Sequence, residues 1–424
     1  MPGVGVAGGC ARPPAYDEEG VGLATQGAQI PVGGRLLGDA RRNLPELVEL
    51  RRQVHRHPEI GLVLPRTQAA VLDALSGLGF QVTTGERTTS VVAVLEGSEP
   101  GPTTLLRADM DALPMSEETG LPYASAVEGA MHACGHDAHV AMLAGAARLL
   151  ADRRDELSGR VVLMFQPGEE GFGGAKVMLE EGLLDRHGPM DRCFAIHVTP
   201  LVPSGWVVSR PGALMASADE FRVTVTGRGG HASMPHDALD PIPAACEIVT
   251  ALQTMVTRQV SVFDPAVVTV GRIAAGTTSN VIPETALLEG TVRAVSDETR
   301  TLVIEGVRRV AEGVAAAHLC TVQVELVGVG YPVTVNSGDE VTRTLVIAAE
   351  LLGPERVVEA PTPVMGAEDW SFVLQEVPGS MVFLGAAPPG VELPAPNHSN
   401  RMLIDEQAMA TGAALHAAVA LQGT

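Results

Sequence analysis

The sequence predicts an α/β protein: an α/β sandwich around a largely parallel sheet, interrupted by an inserted α+β domain of ferredoxin-like order. Three observations carry this. At 424 residues the chain is longer than one hydrophobic core usually supports, so two domains are expected. Short β-rich runs alternate with helical apolar spacing from about Asn43 to His197, and the pattern resumes from about Asp339. Between these stretches, residues 213–328 read as β-α-β-β-α-β.

Residues 1–38 are rich in Gly, Pro and Ala, with no basic start leading into an apolar core. They read as a disordered tail, not a signal peptide. Residues 39–212 and 329–424 make the main domain, split by the insertion at 213–328. Helical spacing covers Leu44 to Val54 and Thr67 to Leu78, the second closed by Gly79 in the manner of a C-cap. Strands are predicted at Ser90–Leu95, Thr103–Arg107, Arg160–Phe165 and Cys193–His197, with helices at Ala138–Leu150 and Ala175–Glu181. In the insertion, predicted strands at Glu220–Val225, Ala266–Ile273, Leu287–Ala294 and Thr321–Val327 accompany helices at Pro241–Arg258 and Asp297–His318. A helix at Asp339–Leu352, a strand at Met381–Leu384 and a helix at Glu406–Leu421 complete the main domain.

Composition excludes some functions. With 29 basic and 50 acidic residues the formal net charge is −21, which argues against nucleic acid and anionic membrane surfaces as partners. The charge is spread along the chain and reads as solubility. No apolar run approaches the length needed to span a bilayer. The five cysteines are scattered and form no Cys-x-x-Cys pair, which points to a reducing cytoplasm instead of a disulfide framework. Cys193, Cys246 and Cys320 lie in apolar stretches and are expected to pack as small hydrophobes.

Chemistry concentrates at the predicted strand ends. Asp109 and Asp111 follow the strand through Leu105 and Leu106, Glu169 and Glu170 follow the strand ending at Phe165, and His197 ends the strand through Phe194. In open α/β sheets ligands bind outside the carboxyl ends of the strands, so three strands delivering acid or imidazole groups predict one shared site. Met131-His-Ala-Cys-Gly-His-Asp137 adds a thiol, two imidazoles and a carboxylate, with Gly135 letting the backbone bend so that Cys134 and His136 face one ion. Together with Glu169, Glu170, His197 and His398 this supplies ligands for two divalent ions and leaves one carboxylate as a base. The residues read as a hydrolase with a dinuclear metal centre. Plainer readings compete at each position: Cys134 as an inert thiol or a nucleophile paired with His136, His197 as a core histidine, His398 as a solvated loop histidine, Glu169 as a surface carboxylate, Asp109 as a loop cap.

Six ordered motifs then carry a family resemblance. Arg107-Ala-Asp-Met-Asp-Ala-Leu-Pro114, His132-Ala-Cys-Gly-His-Asp137, Phe165-Gln-Pro-Gly-Glu-Glu-Gly171, Gly227-Arg-Gly-Gly-His-Ala-Ser233, Thr278-Ser-Asn-Val-Ile-Pro283 and Met365-Gly-Ala-Glu-Asp369 resemble the metal-dependent amidohydrolases of the aminoacylase/carboxypeptidase clan. The Cys-containing motif is similar to that of the hippurate hydrolase and auxin-amino-acid conjugate hydrolase branch. The resemblance runs from about His55 to Gln407 and implies a catalytic domain with two divalent ions per subunit and an inserted lid domain that mediates homodimerisation. It implies Cys134, His136, Glu170, His197 and His398 as ligands, with Cys134 shared by both ions. Zn and Mn stay open, thiolate favouring the softer ion.

Glu169 is the candidate general base, and Asp109 a carboxylate that orients a ligand histidine. The resemblance makes His231, in a Gly-rich turn, a stabiliser of the tetrahedral oxyanion, acting within its own chain or across from the partner subunit. Asn280 reads equally as a similar amide donor or a turn-former, and Arg293 as a partner for a substrate carboxylate. His132 and His139 receive no ligand role. The expected reaction is hydrolysis of small N-acyl amino acids to a carboxylic acid and a free amino acid. The alternatives are a dipeptidase or aminopeptidase on the same centre, or a catalytically silent metal- or ligand-binding homologue. Retention of Glu169 and all five ligand candidates counts against the silent form.

Overall fold

In the computed structural model, which describes residues 32–422, the alternating segments assemble into one eight-stranded sheet. Its order is Gln81–Thr84, Val91–Glu96, Ser158–Gln166, Glu99–Asp109, Arg192–Thr199, Gly379–Gly385, Val207–Ser209, Val357–Glu359. The four inner strands, from Ser158–Gln166 to Gly379–Gly385, run parallel, and antiparallel pairing is confined to the flanks. Val161 to Phe165 are all buried, as a strand covered on both faces requires.

One face carries the helices Val32–Arg56, His136–Ala151, Gly338–Leu352 and Ala408–Leu421, with Leu36, Met142, Ile347 and Leu415 in their shared core. The other face is closed by Gly174–Glu180 and Ser371–Glu376, where Met178 and Val373 join Leu105, Val162 and Ala195. This is the α/β sandwich that the sequence predicts. The carboxyl ends of the inner strands, bearing Asp109, Gln166 and His197, open on one edge.

The insertion has its own antiparallel sheet, ordered Ala266–Ala275, Thr285–Ala294, Ala218–Thr226, Thr321–Tyr331, which is the ferredoxin-like order. The helices Pro241–Gln259 and Asp297–Ala317 cover it over a core that includes Phe221, Ile248, Leu288 and Val303. Both helices begin where the sequence signals a start. Asp240 accepts the Ile242 N–H ahead of Pro241, and Ser296 accepts the Thr299 N–H. A short ladder between Gly212–Met215 and Thr334–Asn336 lies where the chain passes between the two sheets.

Two expectations need correction. The tail predicted over residues 1–38 gives way to a helix at Val32, whose Leu36 and Ala40 are buried on one stripe with Leu44 and Leu47. That stripe packs on His136–Ala151 and Ala408–Leu421, and the neighbouring glycines hid its period from the sequence reading. The rest of the predicted tail, with Cys10, lies outside the described residues. Cys246 is exposed, not packed, because the apolar stripe of its helix runs through Ala244, Ala245, Ile248 and Leu252 instead. The four described cysteines are free. Among the described residues no helix is long and apolar enough to cross a membrane.

Candidate metal centre

The carboxyl edge of the main sheet gathers the predicted ligands. Cys134, His136 and His197 present ligand atoms within 4.8 Å of one another, and so do Cys134, Glu170 and His398. One sulfur therefore belongs to both groups. Cys134 Sγ lies 3.3 Å from His197 Nε2, and His398 Nε2 lies 3.2 Å from Glu170 Oε1.

The orientation of the imidazoles follows from their partners. His136 Nδ1–H donates to the Asp111 carbonyl at 2.8 Å, and His197 Nδ1–H donates to the Val198 carbonyl at 2.8 Å. Each ring therefore turns an Nε2 lone pair into the site. His136 Nε2 is buried with no hydrogen-bond partner among the described residues. A buried acceptor without a donor is costly, and a cation removes that cost. A thiol, three imidazoles and a carboxylate form a donor set suited to borderline divalent ions. The residues fit a pair of such ions.

His398 is exposed and adopts left-handed backbone, φ 67°, uncommon for a residue with a Cβ. Its loop is pinned from below. The His398 N–H donates to the Ala133 carbonyl at 2.7 Å, and Asn397 Nδ2 donates to the carbonyls of Cys134 (3.1 Å) and Val198 (3.2 Å). Hydrogen bonds to Cys134 and Glu170 push the His398 ring up to about 10, as expected of a site that collects positive charge.

Glu169 is buried beside this set, within the same 4.8 Å grouping as His136 and Glu170. Burial, with Glu368, Glu170 and Asp369 close by, holds its carboxyl well above the usual carboxylate range. A carboxylate with raised proton affinity suits a general base. Behind it, Arg107 is shared among Gln166 (2.9 Å), Asp109 (2.7 Å), Glu368 (2.7 Å) and Asp369 (3.1 Å).

Three residues without an assigned role in the sequence reading support the site. Asp111 accepts the N–H groups of Glu169 (2.9 Å) and Glu170 (3.0 Å), while its carbonyl orients His136. His139 Nε2 accepts the Val198 N–H at 2.8 Å, so its Nδ1–H donates to Asp109 at 2.5 Å. Asn397 ties three segments together as described above. Asp109, expected to orient a ligand histidine, accepts from Arg107 at 2.7 Å and from His139 at 2.5 Å, and its Oδ2 stands 3.5 Å from His136 Nε2. The signals were present in the sequence: an Asp-x-Asp after a strand, and His139 three residues after His136, on the same helix face. His132 is buried outside the ligand groups.

The insertion keeps its candidates apart from this cluster. Gly230–His231 pairs with Val281–Ile282, which sets His231 beside Asn280, whose carbonyl accepts the Ala232 N–H at 3.2 Å. His231 is exposed, and its Nδ1 accepts the Ser233 N–H at 3.1 Å, which makes Nε2 the protonated, donating nitrogen of the neutral ring. Asn280 Oδ1 accepts from Thr278 at 3.1 Å, which leaves its NH₂ to donate elsewhere. Arg293 sits half-buried opposite Val267, its charge disfavoured by burial and supported by Asp219 and Glu220. Among the described residues His231 enters none of the groups of metal-ligating atoms.

Residues 105–422, which include every candidate ligand, match the profile of peptidase family M20/M25/M40. The chain belongs to this family. Thermostable carboxypeptidase 1 of Saccharolobus solfataricus is 38% identical over 391 residues, 92% of this chain and 98% of that relative. IAA-amino acid hydrolase ILR1-like 2 of Arabidopsis thaliana is 39% identical over 379 residues, 89% of this chain and 84% of its own length. Among solved structures, the YXEP protein of Bacillus subtilis, a dinuclear metal-binding peptidase of the M20 family, is 35% identical. It superposes with a TM-score of 0.77 over 90% of this chain and 98% of that one. This M20/M25/M40 member is a metal-dependent hydrolase of linear amides.

Proposed function

We propose that this M20/M25/M40 member hydrolyses N-acyl amino acids at a centre of two divalent ions held by Cys134, His136, Glu170, His197 and His398. The observation that carries this reading is the pair of ligand groups sharing the Cys134 sulfur, with the buried Glu169 carboxylate against them. When bound, the ions supply Lewis acidity toward the scissile carbonyl and toward water. Glu169 takes a proton from the attacking water and returns it to the leaving amine nitrogen, so that the amide and one water become an acid and an amine. His231 Nε2–H, with Asn280 beside it, donates to the developing oxyanion, and Arg293 pairs with the carboxylate of the departing amino acid.

A carboxypeptidase and an amino acid conjugate hydrolase share one substrate feature, an amide whose amine half is an amino acid. That feature favours N-acyl amino acids over the aminopeptidase reading. His231 and Asn280 reach the reaction when the insertion closes over the centre, from the same chain or from the partner of a homodimer. The exposed edge strand Ala266–Ala275, with Val267 and Ile273 outward, is the surface proposed for that contact. The free thiols suit a reducing cytoplasm, and the thiolate favours Zn over Mn.

The test is a panel of N-acetyl, N-benzoyl and indole-acyl amino acids beside dipeptides, run with metal analysis. Preferred turnover of acyl amino acids by protein holding transition metal supports the reading. Metal-loaded protein that cleaves none of the amides would support the silent alternative.

A further inference from the structure

The loop that carries Glu169, Pro167 to Gly174, is held mainly through its backbone. Asp111 takes the N–H groups of Glu169 and Glu170. The polar groups that follow converge on one phenol. Tyr331 Oη donates to the Glu169 carbonyl at 2.6 Å and accepts from the N–H groups of Gly171 (3.0 Å) and Gly173 (3.1 Å). The ring is buried and meets Phe372 edge-on, centroids 6.0 Å apart at 81°.

Tyr331 does not belong to the sheet that bears this loop. It ends the strand Thr321–Tyr331 of the inserted sheet, pairing with Ala218 beyond the irregularity that follows Val327. A second contact lies beside it: a Cβ built on Gly173 would come 2.8 Å from Val329 Cγ1. The base loop and the outgoing strand of the insertion are thus in direct contact through Val329 and Tyr331.

We propose that Tyr331 is a positioning residue for the Glu169 carboxylate, so that the exit strand of the insertion sets the geometry of the base loop. The proposal rests on Glu169 being the base. Gly168, Gly171 and Gly173 all have positive φ, and inside the loop the Gly171 N–H donates to the Glu169 carbonyl at 2.7 Å and the Gly174 N–H to the Gly168 carbonyl at 2.9 Å, so Asp111 and Tyr331 add the contacts that anchor this turn to the rest of the molecule. Without the hydroxyl, the Gly173 N–H loses its partner, and the Glu169 carbonyl and Gly171 N–H keep only their bond to each other at 2.7 Å. The loop then shifts, and a misplacement of about 1 Å at a reacting group costs on the order of 10²-fold in rate.

Tyr331→Phe keeps the ring and its contact with Phe372 and removes only the hydroxyl. In metal-loaded enzyme kcat should fall roughly 10-fold or more, with KM changed less than about threefold and metal content unaltered. In a Glu169→Gln background the same change should cost less than about twofold, because no base remains to misplace. Equal losses in both backgrounds, or an unchanged kcat in the single variant, overturn the proposal. If Glu169→Gln itself retains full turnover, the assignment of the base fails instead. Hydrogen exchange on the unsubstituted protein decides the matter even if the variant does not fold. The Gly173 amide, which donates to Tyr331 Oη, should be protected, and exchange at free-peptide rates would overturn the positioning role.

Discussion

The carboxyl edge of the main sheet and the exposed turn of the insertion hold their candidate groups in opposite ways. Cys134, His136, Glu169 and His197 are buried, and their geometry is set by residues distant in the chain, such as Asp111, His139 and Asn397. His231 and Asn280 are exposed, and their side chains bond residues two positions away, Ser233 and Thr278. The first arrangement is prepared before any substrate arrives, because moving one group would strand others in the interior. The second is local, its geometry held within the turn itself. On the proposed roles, binding ions and donating to the oxyanion are separable tasks, and experiments can pull them apart.

The largest expected effect falls on the buried side. Chelation should abolish amide hydrolysis, and readdition of Mn²⁺, Zn²⁺ or Co²⁺ should restore it. Fully active protein with no transition metal by elemental analysis would end the metal reading. Next, Glu169→Gln should lower turnover by at least ~10²-fold with bound metal nearly unchanged. Glu170→Gln should instead lose metal from one site and regain part of its activity at high metal concentration. Reversed metal phenotypes would exchange the two roles.

The exposed side should answer differently. His231→Ala should cost about 10²-fold in kcat, the low end for loss of one oxyanion donor, while metal content and Tm stay the same. Mixing His231→Ala with Glu169→Gln protein then reads the geometry. Activity recovered in mixed dimers places His231 in trans, and no recovery places it in cis.

A smaller effect separates the regions by pH. His55, beneath the ligand segment, bonds Asp137 at 2.8 Å and Glu117 at 3.3 Å, with Arg51, Tyr123 and His132 around it. Burial alone would lower its pKa, but the Asp137 charge and the hydrogen bonds to Asp137 and Glu117 outweigh this and raise it from 6.5 to about 9. A raised folded pKa means stabilisation that is complete below the unfolded value and lost as pH climbs through the folded one, here up to ~3 kcal/mol. Glu117, depressed to about 2, contributes above the ordinary carboxylate range and loses that contribution as pH falls through about 2. Unfolding followed against pH should show Tm declining between pH 7 and 9, and His55→Gln should flatten that decline. An equal slope in the variant would remove His55 from the account.

Much of this protein is determined by the sequence alone. The alternation of elements, the ferredoxin-like order of the insertion and the placing of Asp109, Glu169 and His197 at or near the carboxyl ends of strands are local properties, set by apolar period and chain order, and folding shifts the strand ends by only one or two residues, to Gln166 and Thr199. The types of ligand are equally local, because a thiol, an imidazole and a carboxylate keep their chemistry in any fold. Tertiary structure decided what surrounds them. Strands as short as Val207–Ser209 and Val357–Glu359 exist only because a neighbour pairs with them, and the helix at Val32 only because its stripe finds a core. The same holds for the partners of the site. Asp109 turns to His139, Asp111 grips the loop bearing Glu169, and Tyr331 reaches it from the other sheet, across separations in the chain that no local pattern encodes. A side chain's chemistry is written at its own position, whereas its orientation depends on groups that only packing brings within hydrogen-bond reach.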